Sequence, residues 1–176
     1  MSSSILTTHV GSLPRSKELS ELLFAKDKKE SFNQETFNQV VQKNVEEVVK
    51  RQLKAGIDVI SDGEMSKISY ATYVKDRIKG FSGESERRAP ADLDAFPDYK
   101  MKIANSGGTP TYTRPCCTSE LEIQDEESLK TDIENFTKAL SANGHSKAFM
   151  NAASPGVINV FMPNKFYQND DEYLEK

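Results

Sequence analysis

The sequence predicts an α/β fold of parallel (β/α)8 barrel type, and three observations carry that expectation. Thr8-His9-Val10-Gly11-Ser12-Leu13-Pro14-Arg15 reads as a short apolar strand running into a glycine turn. Asp58-Val59-Ile60-Ser61-Asp62-Gly63-Glu64-Met65-Ser66-Lys67 repeats that pattern. Between them lies the clearest helical periodicity of the chain, and a strand-helix-strand order forces parallel pairing with a right-handed crossover. In a barrel, the polar groups at the C-terminal ends of such strands line one shared pocket.

The elements follow in order. Residues 5–10 are β-prone, and Pro14 bars their continuation as a central strand. From Ser16, Leu19, Leu22 and Leu23 are spaced for a short helix, and the polar stretch 25–34 reads as a connector. Phe37, Val40, Val41, Val45, Val48, Val49 and Leu53 form one apolar stripe, opposite Gln42, Lys43, Glu46, Glu47 and Lys50, and Gly56 supplies the stop. Residues 57–61 make the second strand. Tyr73, Val74 and Ile78 suit a helix over 70–78, and 80–110, rich in charge and broken by Pro90 and Pro97, forms a long excursion with a strand at 101–104. A third barrel strand is expected over 112–123, then a helix over 128–140 with Leu129, Ile133, Phe136 and Leu140 on its inner face. A fourth strand over 147–153 leads through a Ser154-Pro155-Gly156 loop toward a last helical start at 170–176. These first four β/α units form one partial barrel domain over 1–176, whereas a complete barrel takes about 250 residues.

With 23 basic and 27 acidic residues spread along the chain, the net charge of −4 leaves no footprint for nucleic acid. Neither a membrane-length apolar run nor the basic start of a signal peptide is present, so a cytoplasmic protein is expected. Cys116 and Cys117 are neighbours, which excludes a disulfide framework. Together with His9 and His145 they offer no C-x-x-C or H-x-C spacing, and no complete zinc site is expected.

Gly11 permits a sharp turn, and the Ser12 hydroxyl with nearby amides can hold a carboxylate; the alternative is a plain strand-to-helix turn. Asp62 and Glu64 flank Gly63 at a strand's C-terminal end, where Glu64 can receive a substrate ammonium. The alternative pairs them with Lys67 or Arg15. His9 either faces the pocket mouth or is a hydrogen-bonded structural histidine. Cys116 and Cys117 read as buried strand residues, Cys116 being the one placed to touch a ligand.

In order and spacing these motifs, with residues 149–156, resemble the cobalamin-independent methionine synthase family, most strongly its single-domain members. The resemblance implies a barrel of the uroporphyrinogen decarboxylase and methionine synthase type. It also implies zinc-dependent methyl transfer from 5-methyltetrahydrofolate polyglutamate to homocysteine, giving methionine. Gly11 and Ser12 then hold the amino-acid portion of homocysteine, Glu64 binds the same substrate, and Cys116 and Phe161 contact folate. Asp62 stands where the methionine synthases proper carry histidine, His9 where they carry a small residue, and Pro115 where they carry arginine. The family's zinc ligands come from later strands, so the expectation is a truncated half-site, inactive alone and binding no zinc. Two alternatives stay open: alkyl transfer to another thiol, as in epoxyalkane:coenzyme M transferases, and a non-catalytic half barrel that forms a homodimer through open sheet edges.

Overall fold

The computed structural model describes residues 5–85, 91–105 and 112–176. Its elements are α1 (Lys17–Asp27), α2 (Gln34–Lys54), β1 (Ile60–Ser61), β2 (Ile78–Ser82), α3 (Pro97–Asn105), β3 (Cys116–Ile123), α4 (Glu127–Ala142), β4 (Ala148–Phe149), α5 (Pro155–Phe161) and α6 (Asp170–Leu174). Among the described residues, no helix is long and apolar enough to cross a membrane.

α1 and α2 start where side chains can satisfy their free amides. Ser16 accepts the Leu19 amide at 3.1 Å, and Asn33 accepts that of Thr36 at 2.8 Å. The apolar stripe of α2 is buried as its spacing predicts. Phe37, Val40, Val41, Val45, Val48 and Val49 pack with Leu19, Leu23, Ile60, Met65, Phe136 and Ala139 into one core. Full burial of such side chains stabilises by about 1.5–3 kcal/mol each.

That core carries β1. On one side β4 pairs with it in parallel, Ile60 opposite Ala148, and on the other Thr8 bridges in parallel to Val59. The chain end before Thr8 is tied by Asp58, whose carboxylate accepts the Thr7 amide at 2.8 Å and hydroxyl at 2.9 Å. α2 also reaches β1 directly through Gln52. Its Nε2 donates to the Ser61 carbonyl at 2.8 Å while its Oε1 accepts the Ser61 amide at 3.0 Å. A side-chain amide thus stands in for the peptide of a neighbouring strand.

Beyond the first crossover the fold departs from expectation. Residues 112–123 do not add a barrel strand. β3 pairs antiparallel with β2, Ile78 opposite Ile123 and Ser82 opposite Cys116, with an irregularity at Gly80. Only Cys116 and Cys117 of β3 are buried, whereas a central parallel strand is covered on both faces. Three parallel segments rather than four therefore lie side by side, and among the described residues they do not close into a barrel. The helix expected over 70–78 shrinks to a 3-10 turn at Tyr73–Asp76, because Ile78 opens β2. Residues 101–104 are helical, since Pro97 and Asp98 start α3. Residues 86–90 and 106–110 of the expected excursion lie outside the described residues.

α4 buries Phe136 and packs Leu140 on the core as expected, but the rest of its inner face is shifted. Asp132, Asn135, Phe136 and Ala139 are buried, while Leu129 and Ile133 are each 47% exposed. The cause is Arg77, whose guanidinium meets Asp132 at 2.5 Å and draws that side of the helix in. The Ser154-Pro155-Gly156 loop is instead the start of α5, with Ser154 capping the Val157 amide at 3.3 Å and Pro155 in the first turn.

Replacing Gln52 by alanine leaves the buried Ser61 amide and carbonyl without partners, and is expected to cost about 3 kcal/mol, read as a lower urea midpoint. A pH titration tests the other edge. Hydrogen bonds from the Thr7 amide, and then from its hydroxyl, hold the Asp58 carboxyl below the usual range. A depressed acid contributes stability that is complete above about pH 4 and lost as pH falls through its folded value. The Thr7 amide proton is expected to move upfield in that acid range, and Asp58→Ala to remove the transition.

Candidate functional site

The two glycine turns meet at the C-terminal end of β1. The Leu13 amide donates to the Gly63 carbonyl at 3.1 Å, binding one turn to the other. Gly63 sits at φ +61°, and a Cβ there would lie 3.2 Å from Leu13 Cβ and 3.1 Å from Val48 Cγ2. Conformation and space both demand glycine. Glu64 follows at φ +57°, left-handed without being glycine, with its amide donating to Asp62 Oδ1 at 3.2 Å. Such a backbone costs about 1–3 kcal/mol and persists only where surrounding contacts hold it.

Those contacts converge on the Glu64 carboxylate. Ser12 Oγ donates to Oε2 at 2.5 Å, and Asn151 Nδ2 donates to Oε1 at 3.0 Å. Glu64 is 2% exposed, yet among the described residues its carboxylate forms no ion pair. Both nearby cations are engaged elsewhere. Arg15 Nη2 donates to the carbonyls of Glu64 at 2.9 Å and Lys67 at 2.7 Å, and lies 3.5 Å from Ser12 Oγ. Lys67 Nζ meets Asp62 Oδ2 at 3.5 Å and donates to the Asn151 carbonyl at 3.0 Å. A carboxylate taken out of water and met only by neutral donors favours the arrival of a cation.

Beneath it lies a second layer of charge. Lys67 Nζ is 5.2 Å from the centre of the Tyr73 ring, and the Arg77 guanidinium is 4.9 Å from the same ring. Burial pushes the Asp62 carboxyl up, with Lys67 opposing. Burial likewise lowers the Arg15 guanidinium, against the pull of Glu64 and Asp62.

Comparison with known proteins gives this rim a context. Residues 5–89, which contain both glycine turns, match the family described as cobalamin-independent synthase, catalytic domain. The chain thus resembles, over its first half, the cobalamin-independent methionine synthases. It is 28% identical over 171 residues to the methionine synthase of Saccharolobus solfataricus, covering 96% of this chain and 44% of that protein. A probable 5-methyltetrahydropteroyltriglutamate-homocysteine methyltransferase of Schizosaccharomyces pombe is 34% identical over 77 residues, 43% of this chain and 10% of that protein. In fold, the chain superposes on a B12-independent methionine synthase from Shewanella sp. W3-18-1 with a TM-score of 0.64 at 17% identity, over 96% of this chain and 43% of that one. It thus spans less than half the length of the methionine synthases it matches most fully.

The other residues that the sequence singles out fall into two groups. Gly11 stands at φ +98° with open space where a Cβ would go, and the buried Nε2 of His9, like Nε of Arg15, has no hydrogen-bond partner among the described residues. Cys116 and Phe161 make no hydrogen bond or ion pair with Ser12 or Glu64 among the described residues. Cys116 Sγ points at the Glu84 carbonyl, 3.8 Å away, and the Phe161 ring lies under the guanidinium of Arg114, the neighbour of Pro115, at 4.7 Å. β3 and the segment after α5 are joined by the Cys117 amide donating to Pro163 O at 3.0 Å.

The sequence reading leaves Asn151 out. Its one signal is position, just past β4 at the strand end where barrels keep their working groups. Lys67 enters that reading only as a partner for Asp62 or Glu64, and the structure gives it to Asp62.

The family implies zinc, and the residues here do not fit it. Among the described residues no three His, Cys, Asp or Glu side chains converge on one point. Both thiols are buried against carbonyls, and burial pushes the Cys117 thiol up, away from the thiolate a metal needs.

Alanine at the two glycines separates strain from crowding. Gly11→Ala is expected to cost about 1 kcal/mol of left-handed strain, and Gly63→Ala about 1–2 kcal/mol more through contact with Leu13 and Val48, compared by thermal unfolding.

Proposed function

We propose that this chain carries the amino-acid-binding part of a thiol methyltransferase site, in which a methyl group passes from 5-methyltetrahydrofolate to homocysteine to give methionine. One observation carries the reading: a buried Glu64 carboxylate, fixed by Ser12 and Asn151, with no cation on it. The ammonium of an amino acid supplies the missing charge by a charge-assisted hydrogen bond. Its carboxylate then falls to the Gly11–Ser12 turn. Relatives named as methionine synthase and homocysteine methyltransferase support the reaction class, and by resemblance Cys116 and Phe161 would contact the folate. These residues bind and orient; no step is routed through zinc.

Coenzyme M is the weaker acceptor. It carries a sulfonate and no ammonium, so Glu64 repels it rather than holds it. A second reading, association of two chains, is favoured by Ile5, Leu6 and Val10, which stand exposed on the segment that pairs with β1 on one side only. Sedimentation velocity is expected to show a dimer if that edge is used.

Calorimetric titration with L-homocysteine, 4-mercaptobutanoate and coenzyme M tests the main reading. Homocysteine is expected to bind at least about tenfold more tightly than either ligand lacking the ammonium, the range of one charge-assisted hydrogen bond. Glu64→Gln should erase that preference, and Ser12→Ala should weaken binding about fivefold. Equal affinity for all three thiols would sink the reading.

A further inference from the structure

Glu64 stays free of a cation although Lys67 is three residues away, and the reason lies in Asp62. The Lys67 ammonium is buried, with Asp62 Oδ2 at 3.5 Å, the Asn151 carbonyl at 3.0 Å and the Tyr73 ring at 5.2 Å. The side chain of the same Asn151 holds Glu64 Oε1 at 3.0 Å, so the lysine and the glutamate share one residue as their wall. Coulomb attraction between unit charges at such range outweighs a hydrogen bond to a neutral carbonyl. With the Asp62 charge removed, Lys67 is drawn to the only other carboxylate of this turn.

We propose that Asp62 is a positioning residue that keeps Lys67 off Glu64, and so reserves the Glu64 carboxylate for the ammonium of an amino-acid ligand. The proposal rests on the amino-acid reading above and adds what makes the rim selective. Two carboxylates flank one glycine for different purposes. Asp62 neutralises the resident lysine, and Glu64 receives the incoming cation. Tyr73 holds the lysine from a further side, Arg77 beside that ring is spent on Asp132 at 2.5 Å, and Arg15, the other cation of the rim, is held by the carbonyls of Glu64 and Lys67.

The test reads amino preference, the ratio of affinities for L-homocysteine and 4-mercaptobutanoate, by calorimetry on the full chain. In Asp62→Asn, this ratio is expected to fall about tenfold as Lys67 takes the ammonium's place. Asp62→Glu, which keeps the charge, is expected to retain most of it. Adding Lys67→Met to Asp62→Asn is expected to restore it, which a merely structural role for Asp62 would not do. Lys67→Met alone removes the competitor and is expected to keep the preference, whatever the folding yield of Asp62→Asn. A crystal structure of Asp62→Asn is expected to show Lys67 Nζ paired with Glu64. An unchanged preference in Asp62→Asn, loss of preference in Lys67→Met, or a lysine still on the Asn151 carbonyl overturns the proposal while leaving the amino-acid reading intact. Wild-type chain binding both thiols equally overturns that reading, and this proposal with it.

Discussion

The site rests on one side-chain amide. Gln52 joins the end of α2 to both peptide groups of Ser61, and the residues that follow Ser61 are Asp62, Gly63 and Glu64. α2 is in turn fixed by the apolar stripe that forms most of the core, so the helix sets the height and direction at which the turn leaves β1. The Leu13 amide on the Gly63 carbonyl then brings in the other glycine turn. Packing reaches the rim through two short polar links rather than through a long ladder of sheet hydrogen bonds.

Much of this was legible before any coordinates. The spacing of valines in α2 could bury only one face, and the two strand-to-glycine motifs had to come together once a helix of that length joined them in parallel. Ser12 and Glu64 do meet. What failed were the third barrel strand and part of the inner face of α4, for physical reasons. Thr118-Ser119-Glu120-Leu121-Glu122-Ile123 alternates as a half-exposed hairpin strand does, and that alternation outweighed the apolar start at Cys116 and Cys117. On α4 the apolar spacing pointed to Leu129 and Ile133, but the buried ion pair between Arg77 and Asp132 joins residues 55 apart, and no local pattern announces such a partner. Asn151 was invisible for a similar reason: an asparagine after a strand carries no signal until the carboxylate it touches is known.

Charge at the rim is sorted by layer. The lower layer is closed on itself, Lys67 with Asp62 and Arg77 with Asp132, with Tyr73 between the two cations. The upper layer is left open, a carboxylate held by a hydroxyl and an amide. Closure below is what makes openness above useful, since a buried charge with an internal partner has little left to offer a ligand. A small polar network of this kind also links the rim to α4 and, through Arg77, to β2, whose residues lie outside the core cluster.

Glu64 occupies a backbone conformation in which glycine would be at ease. The chain therefore gives up folding stability at the residue proposed to receive the ligand's ammonium. Evolution or screening for heat tolerance alone would drive this position toward glycine, and the first property to disappear in such a lineage would be recognition, with the scaffold left sturdier than before.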